Sequence, residues 1–355
     1  DKEALEFYRK SHSIKPGYLP AILARSELHI KHGEWRDAIK AEREALTILR
    51  ETREIEKIAN SLIRLGEMSE KVGKIEDSIN YYLETLEVSP KEINIMESLI
   101  RLYSSRGLWN SAIGILDREI DALKGAPEER DLHLRKGEIL EEKTGELEKA
   151  LSEYKLALEI DPGFSEALLK KASIHLKLKE WQEASRTAED FLATEKDPAR
   201  QAEAYCILGK IDQEGRGNLE SARERYEKAI ALSPGHLGAM EALGSIHEAR
   251  EDWNSYVKTY EQFIRVMPSG KSEGSWRPDA IFRLHQKLGE VYRDKLTNQD
   301  RAIIEFNNAL KFNPDSTEAH AALAKLYLNN KSMYAQAIRE NLFLLKQDPF
   351  RADSY

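Results

Sequence analysis

What most constrains this chain is a fixed repeat. Residues 145–163 read GELEKALSEYKLALEIDPG and residues 217–235 read GNLESARERYEKAIALSPG. Ala150, Tyr154, Ala157 and Pro162 thus return as Ala222, Tyr226, Ala229 and Pro234 after 72 residues, two units of 36. The same places are held by Ala4, Tyr8 and Pro16, by Ser78, Tyr82 and Pro90, and by Tyr256, Tyr260 and Pro268. Ala302, Phe306, Ala309 and Pro314 follow, and Ala337 with Pro349 ends the series. A period in the middle thirties dictates an array of small supersecondary units, none of which can bury its apolar face alone.

Within a unit the pattern spells helix. Leu147, Ala150, Leu151, Tyr154 and Leu158 fall three and four apart, one stripe of a helix with about 3.6 residues per turn. Glu148, Lys149, Glu153 and Lys155 are expected to face water. Gly145 opens the stretch, and Pro162 with Gly163 closes it, because proline cannot continue the hydrogen-bond ladder.

An earlier helix in each unit carries Leu65-Gly66, Leu208-Gly209, Leu243-Gly244 or Leu288-Gly289, with Tyr103, Tyr292 and Tyr327 as the following aromatic. On these residues the sequence resembles the tetratricopeptide repeat (TPR) family over nearly its whole length. The resemblance implies an all-α, right-handed superhelical solenoid of antiparallel helix pairs, counted as a single domain over residues 1–355. That domain divides into a half repeat at 1–16, about nine repeats over 19–349, and the start of a further repeat at 350–355. Residues 269–278, SGKSEGSWRP, read as a loop insertion. Departures from the family pattern are Ala172, Ala324 and Ile100 in place of the glycine, and Ser78, Glu119 and Tyr256 in place of alanine. With partial repeats at both ends, the chain reads as a fragment of a longer protein.

Charge and composition narrow the function. Hydrophobic residues make up 41% and charged residues 33% of the chain, which suits a thin helical stack with local cores. The net charge of −8, with Lys and Arg interleaved among Glu, excludes the basic stripe that nucleic acid requires. No run approaches the eighteen apolar residues of a membrane span. Cys206 is the single cysteine, so no internal disulfide forms; a reducing, cytoplasmic location fits, and a periplasmic one is also compatible.

Candidate chemistry is sparse. Gly270 to Gly274 matches G-x-S-x-G around Ser272, with Asp279 and His285 following in the order that hydrolases use, but no strand precedes it to form the required strained turn. The embedded GKS has Arg265 where a phosphate loop wants glycine. His29, His175 and His247 occupy the aromatic place of first helices and read as packing residues. His29 with His32 has metal-ligand spacing but no evident third ligand. No catalytic, cofactor or metal site is therefore expected. Trp35, Trp109, Trp181 and Trp253 recur at 74, 72 and 72 residues and read as packing at the turn between helices, with a binding ladder as the rival reading.

What remains is surface. In the TPR resemblance the first helices line a concave groove, which here would present Glu27, Glu67, Arg101, Glu138 and Lys210, with Glu70 and Glu141 one turn further and Arg64 and Arg135 interrupting the acidic half. The resemblance also excludes two known groove chemistries: Leu23 with Glu27, and Ile63 with Glu67, cannot form a carboxylate clamp, and Ala24, Arg64, Ser98, Arg135 and Lys170 replace an asparagine ladder. The expectation is a noncatalytic scaffold whose groove binds a protein or peptide, basic where the acids gather, with Trp276 and Arg277 of the insertion as a second contact. The alternative is a substrate-recognition or regulatory arm of a larger enzyme or signalling protein.

Overall fold

A computed structural model describes residues 8, 14, 15, 17–266 and 278–348, and the chain divides into two compact units, residues 1–171 and 172–355. The described residues form eighteen α-helices and no strand. In chain order these are α1 Leu19–Lys31, α2 Trp35–Thr52, α3 Ile55–Lys71, α4 Ile75–Val88, α5 Ile93–Ser105, α6 Trp109–Ala122, α7 Glu129–Ile139, α8 Leu147–Ile160 and α9 Ser165–Lys177. They continue as α10 Trp181–Thr194, α11 Pro198–Lys210, α12 Leu219–Leu232, α13 Leu237–Ala249, α14 Trp253–Val266, α15 Pro278–Asp294, α16 Gln299–Leu310, α17 Thr317–Leu328 and α18 Tyr334–Gln347. Odd-numbered helices are the first of each pair and even-numbered helices the second.

The glycine of the first helix and the aromatic of the second are one device. A Cβ at Gly66 would lie 2.2 Å from the Tyr82 ring, at Gly137 2.4 Å from Tyr154, at Gly209 2.5 Å from Tyr226, and at Gly244 2.5 Å from Tyr260. Each ring lies flat across bare backbone, so the pair closes to a distance that no larger residue permits. Where the glycine is absent, the residue sixteen places on shrinks as well: Ile100 goes with Leu116 and Ala172 with Ala188, all fully buried. In the first pair the same two places hold Ser26 and Glu42, which replace the ring contact by a buried hydrogen bond of 2.7 Å from Ser26 Oγ to Glu42 Oε2.

The repeat is not of one length, and the backbone absorbs the difference. Gly66 to Ser78 is twelve residues, whereas Gly137 to Ala150 and Gly209 to Ala222 are thirteen. The extra residue is taken up as a π-helical turn at Leu140–Thr144 and at Ile211–Gly215. Gly145 then leaves the helix in the left-handed region, at φ 72°, where a side chain would be strained. The pattern of core contacts survives because the added residue sits at the helix end.

The four tryptophans each open a second helix and are half-buried. Trp181 lies against Gly215, where a Cβ would come within 2.7 Å of the indole, and Lys143 and Lys295 lie over Trp109 and Trp253 at 5.7 and 4.9 Å. They pack one unit's second helix on the next unit's turn. His29, His175 and His247 are buried, and the first two place Nδ1 2.6 Å from Glu34 and Glu180, which immediately precede Trp35 and Trp181. The turn is thereby clipped from inside.

One expectation fails. Glu153 does not face water: it is buried, with Oε2 2.7 Å from His133 Nδ1 and Oε1 2.6 Å from Lys136 Nζ, which also reaches Asp117 at 2.7 Å. Burial pushes its carboxyl up, but the hydrogen bonds from His133 and Lys136 outweigh that and hold it below the usual carboxylate range. Helical spacing assigned it to the wet face because nothing within its own helix shows the partners on α7.

Candidate functional site

No three His, Cys, Asp or Glu side chains gather to hold a metal among the described residues, and no described helix is long and apolar enough to cross a membrane. The sequence motif around Ser272 lies outside the described residues, as do Trp276 and Arg277. His285, its supposed partner, is buried, 2.7 Å from Glu305 and stacked on Phe312, which makes it a core residue.

The candidate site is therefore the face of the first helices, and in residues 1–171 the structure brings its side chains together. Arg64 on α3 reaches back to Glu27 on α1 at 3.6 Å. Arg101 on α5 grips Glu70 of α3 through Nη2 at 3.0 and 2.7 Å. Arg135 on α7 grips Glu97 of α5 at 2.8 Å to both oxygens, and Lys170 on α9 sits 3.3 Å from Glu138 and 3.2 Å from Glu142. Each rung joins one first helix to the next, so the face is a ladder of bridged charges. The expected acidity is partly neutralised, and Glu67 remains as an exposed carboxylate on it. Exposed pairs of this kind contribute about 0.2–1 kcal/mol each, so their value lies in orientation more than in stability.

The ladder is wired to the core. The Tyr82 hydroxyl, having crossed Gly66, donates to Glu70 Oε1 at 2.9 Å, and the Tyr154 hydroxyl donates to Glu141 Oε2 at the same distance. In the second unit Tyr226 does so to Gln213 at 2.9 Å. Burial and the adjoining carboxylates push the Tyr82 and Tyr154 phenols far above their ordinary value, so they stay protonated and donate to Glu70 and Glu141. Lys210, the C-terminal member of the expected set, is exposed on α11.

Sequence reasoning missed Glu119. It replaces the usual alanine in α6, is buried at 2% exposure, and leaves Oε2 without a hydrogen-bond partner. Burial and the Glu97 carboxylate push its pKa up to about 7, against a smaller pull from Arg135. A carboxyl in an alanine place was the available signal.

A tetratricopeptide repeat family model matches residues 98–163 and 211–254, and one for anaphase-promoting complex subunit 5 matches residues 6–72. This chain is a tetratricopeptide repeat protein. It is 27% identical over 139 residues to anaphase-promoting complex subunit 7 of Arabidopsis thaliana, covering 39% of this chain and 23% of that protein. The TPR fold of this chain is also that of a chain in the structure of Naa15/Naa10 bound to HypK-THB, with a TM-score of 0.55, 16% identity, and coverage of 99% of this chain and 61% of that one. YrrB, a TPR protein with an unusual peptide-binding site, aligns over 54% of this chain and 96% of its own at 22% identity and a TM-score of 0.42.

Proposed function

We propose that the chain is a noncatalytic scaffold that holds a protein or peptide partner on its first-helix face. The observation that carries this reading is the ladder Glu27–Arg64, Glu70–Arg101, Glu97–Arg135 and Glu138–Lys170, which repeats polar groups of both signs at each helix pair. Such a row can accept an extended or helical segment by exchanging its internal pairs for pairs with the partner, which favours orientation and rate of encounter over bulk affinity. The relatives support it: one is by name a subunit of a complex, and the other was solved bound to further proteins. A basic segment fits best around Glu67, Glu138 and Glu141, while Arg64, Arg101 and Arg135 set its register. Trp276 and Arg277 are proposed as a second contact.

The test is photo-crosslinking in an extract of the source cells from a benzoylphenylalanine placed at position 67 and, separately, at the exposed position 155 on α8. A partner captured from 67, absent from 155 and lost on Glu138→Lys combined with Glu141→Lys is the expected result. Equal capture from both positions, or capture that survives both reversals, overturns it.

A further inference from the structure

The second helices α6 and α8 flank a cleft floored by α7, and α12 and α14 flank another floored by α13. They occupy the same place in the repeat. Lys136 precedes Gly137 as Leu243 precedes Gly244; Glu153 precedes Tyr154 as Thr259 precedes Tyr260; and Asp117 follows Ala112 by five residues as Glu227 follows Ala222. In the first cleft Lys136 stitches both walls to the floor through Asp117 and Glu153, and 330 Å³ remains. In the second, Leu243 has no charge to bridge with, the Thr259 hydroxyl turns back to its own helix at Ser255 O, and Glu227 is taken by Arg223 at 2.9 Å. That cleft measures 780 Å³.

Its lining has a definite chemistry. Met240 and Leu243 form an apolar floor, with Phe263 and the half-exposed Val266 on the α14 wall. His247, also on the floor, is buried, and desolvation holds its pKa below the ordinary imidazole value, so no cation stands there at neutral pH. On the α12 side the charges are satisfied: Arg223 pairs with Glu220 and Glu227, and Arg250 with Glu220 at 2.8 Å. Asp252 caps the backbone N–H of Ser255 at 3.1 Å. The α14 wall differs. Lys258 makes no ion pair among the described residues, and Arg265, its side chain 78% exposed, reaches only Glu261 at 3.9 Å.

We propose that this cleft docks a short segment of a partner protein in which a bulky apolar side chain is flanked by acidic residues. The anchor enters between Leu243 and Phe263, and the acids meet Lys258 and Arg265. A volume within the range of about 300–1,000 Å³ holds one or two large side chains, and a desolvated apolar anchor ringed by charge is the arrangement in which few residues dominate binding. Its walls are second helices, none of the side chains of the first-helix ladder lines it, and the proposal stands independently of that ladder.

A random dodecapeptide library displayed on phage, selected on the immobilised full chain, tests it. The double change Leu243→Lys with Thr259→Glu rebuilds the stitch that Lys136 makes and closes the cleft while leaving the fold intact by thermal melting. Enriched peptides should carry an aromatic residue or leucine beside Asp or Glu. They should lose at least about tenfold in affinity with the double variant and with Lys258→Glu, and bind unchanged to Glu67→Lys. No enriched peptide that distinguishes the chain from the double variant, or enrichment of basic peptides at the cleft, overturns the proposal. Two further outcomes assign the cleft to another occupant and likewise overturn it: binding that arises only after residues 267–277 are deleted, and dimerisation that the double variant abolishes.

Discussion

Repeats four and seven solve one packing problem with different chemistry. Both lay a tyrosine over a glycine, Tyr154 on Gly137 and Tyr260 on Gly244, at nearly the same separation. Around that shared contact, repeat four closes with charge, buried His133 and Glu153 and half-buried Lys136 reaching out to the exposed Asp117, whereas repeat seven offers Met240, Leu243 and Thr259. In these two repeats the tyrosine and glycine are shared, and the residues just before them, Lys136 and Glu153 against Leu243 and Thr259, separate a stitched cleft from an open one. Lys136 forms a seam; Leu243 leaves a mouth.

The largest test of that contrast is to write repeat seven's residue into repeat four. Lys136→Leu strips Glu153 and Asp117 of their shared cation, and breaking a buried pair from one side costs about 3–5 kcal/mol. Because such arrays couple chiefly to nearest neighbours, hydrogen exchange should show lost protection confined to α6, α7 and α8. A uniform loss, or none, would break the comparison.

Next comes pH. Glu119, beside the same seam, is raised to about 7 in the fold from an unfolded value of 4.5. Its contribution is thus complete below pH 4.5, falls as pH rises from there, and is gone above about 7. A shift of that size corresponds to roughly 3 kcal/mol. Glu153 has the opposite sign: its carboxyl is depressed, so its contribution holds above 4.5 and is lost as pH falls through its lower folded value. Met240, Leu243 and Thr259 titrate nowhere in this range. Local stability of α5 to α8, read by exchange between pH 4 and 9, should fall at both extremes, while α13, whose buried His247 is held below the ordinary imidazole value, should weaken on the acid side only. Glu119→Gln should remove the alkaline loss.

The shared contact supplies the control. Gly137→Ala and Gly244→Ala each drive a Cβ into a ring at 2.4 or 2.5 Å, and overpacking of this kind costs about 1–3 kcal/mol. Equal penalties in urea unfolding would confirm that the two repeats differ only around the contact. Smallest is the turn. Lys179 takes φ 61° at the place where Gly33, Gly73 and Gly107 stand. Lys179→Gly relieves a left-handed side chain and should raise stability by about 1 kcal/mol, seen as a small rise in midpoint.

Much of this was legible in the chain. The helices, their pairing and the tyrosine stripe follow from spacing, since a helix exposes its packing face at three and four residues. The seam was not, because Glu153 looks solvated when its own helix is read alone; its partners His133 and Lys136 lie on α7. A signal existed nonetheless: His133 and Glu153 stand twenty residues apart, as do His285 and Glu305, and His320 and Glu340, and all three pairs meet. The ladder on the first helices was half legible. Glu27, Arg64, Glu70 and Arg101 were expected on one face, but spacing alone does not show that Glu27 meets Arg64 and Glu70 meets Arg101 across repeats.

Tyr82 has a last consequence. Its hydroxyl ends on Glu70, the carboxylate that Arg101 also holds on the surface. A visitor that draws Arg101 away therefore changes the charge felt by a buried phenol, and phenol absorbance and emission respond to such changes. The chain carries its own optical gauge of occupancy at the third helix: with no dye attached, the ultraviolet difference spectrum of Tyr82 against Tyr82→Phe would report whether the neighbouring surface is filled.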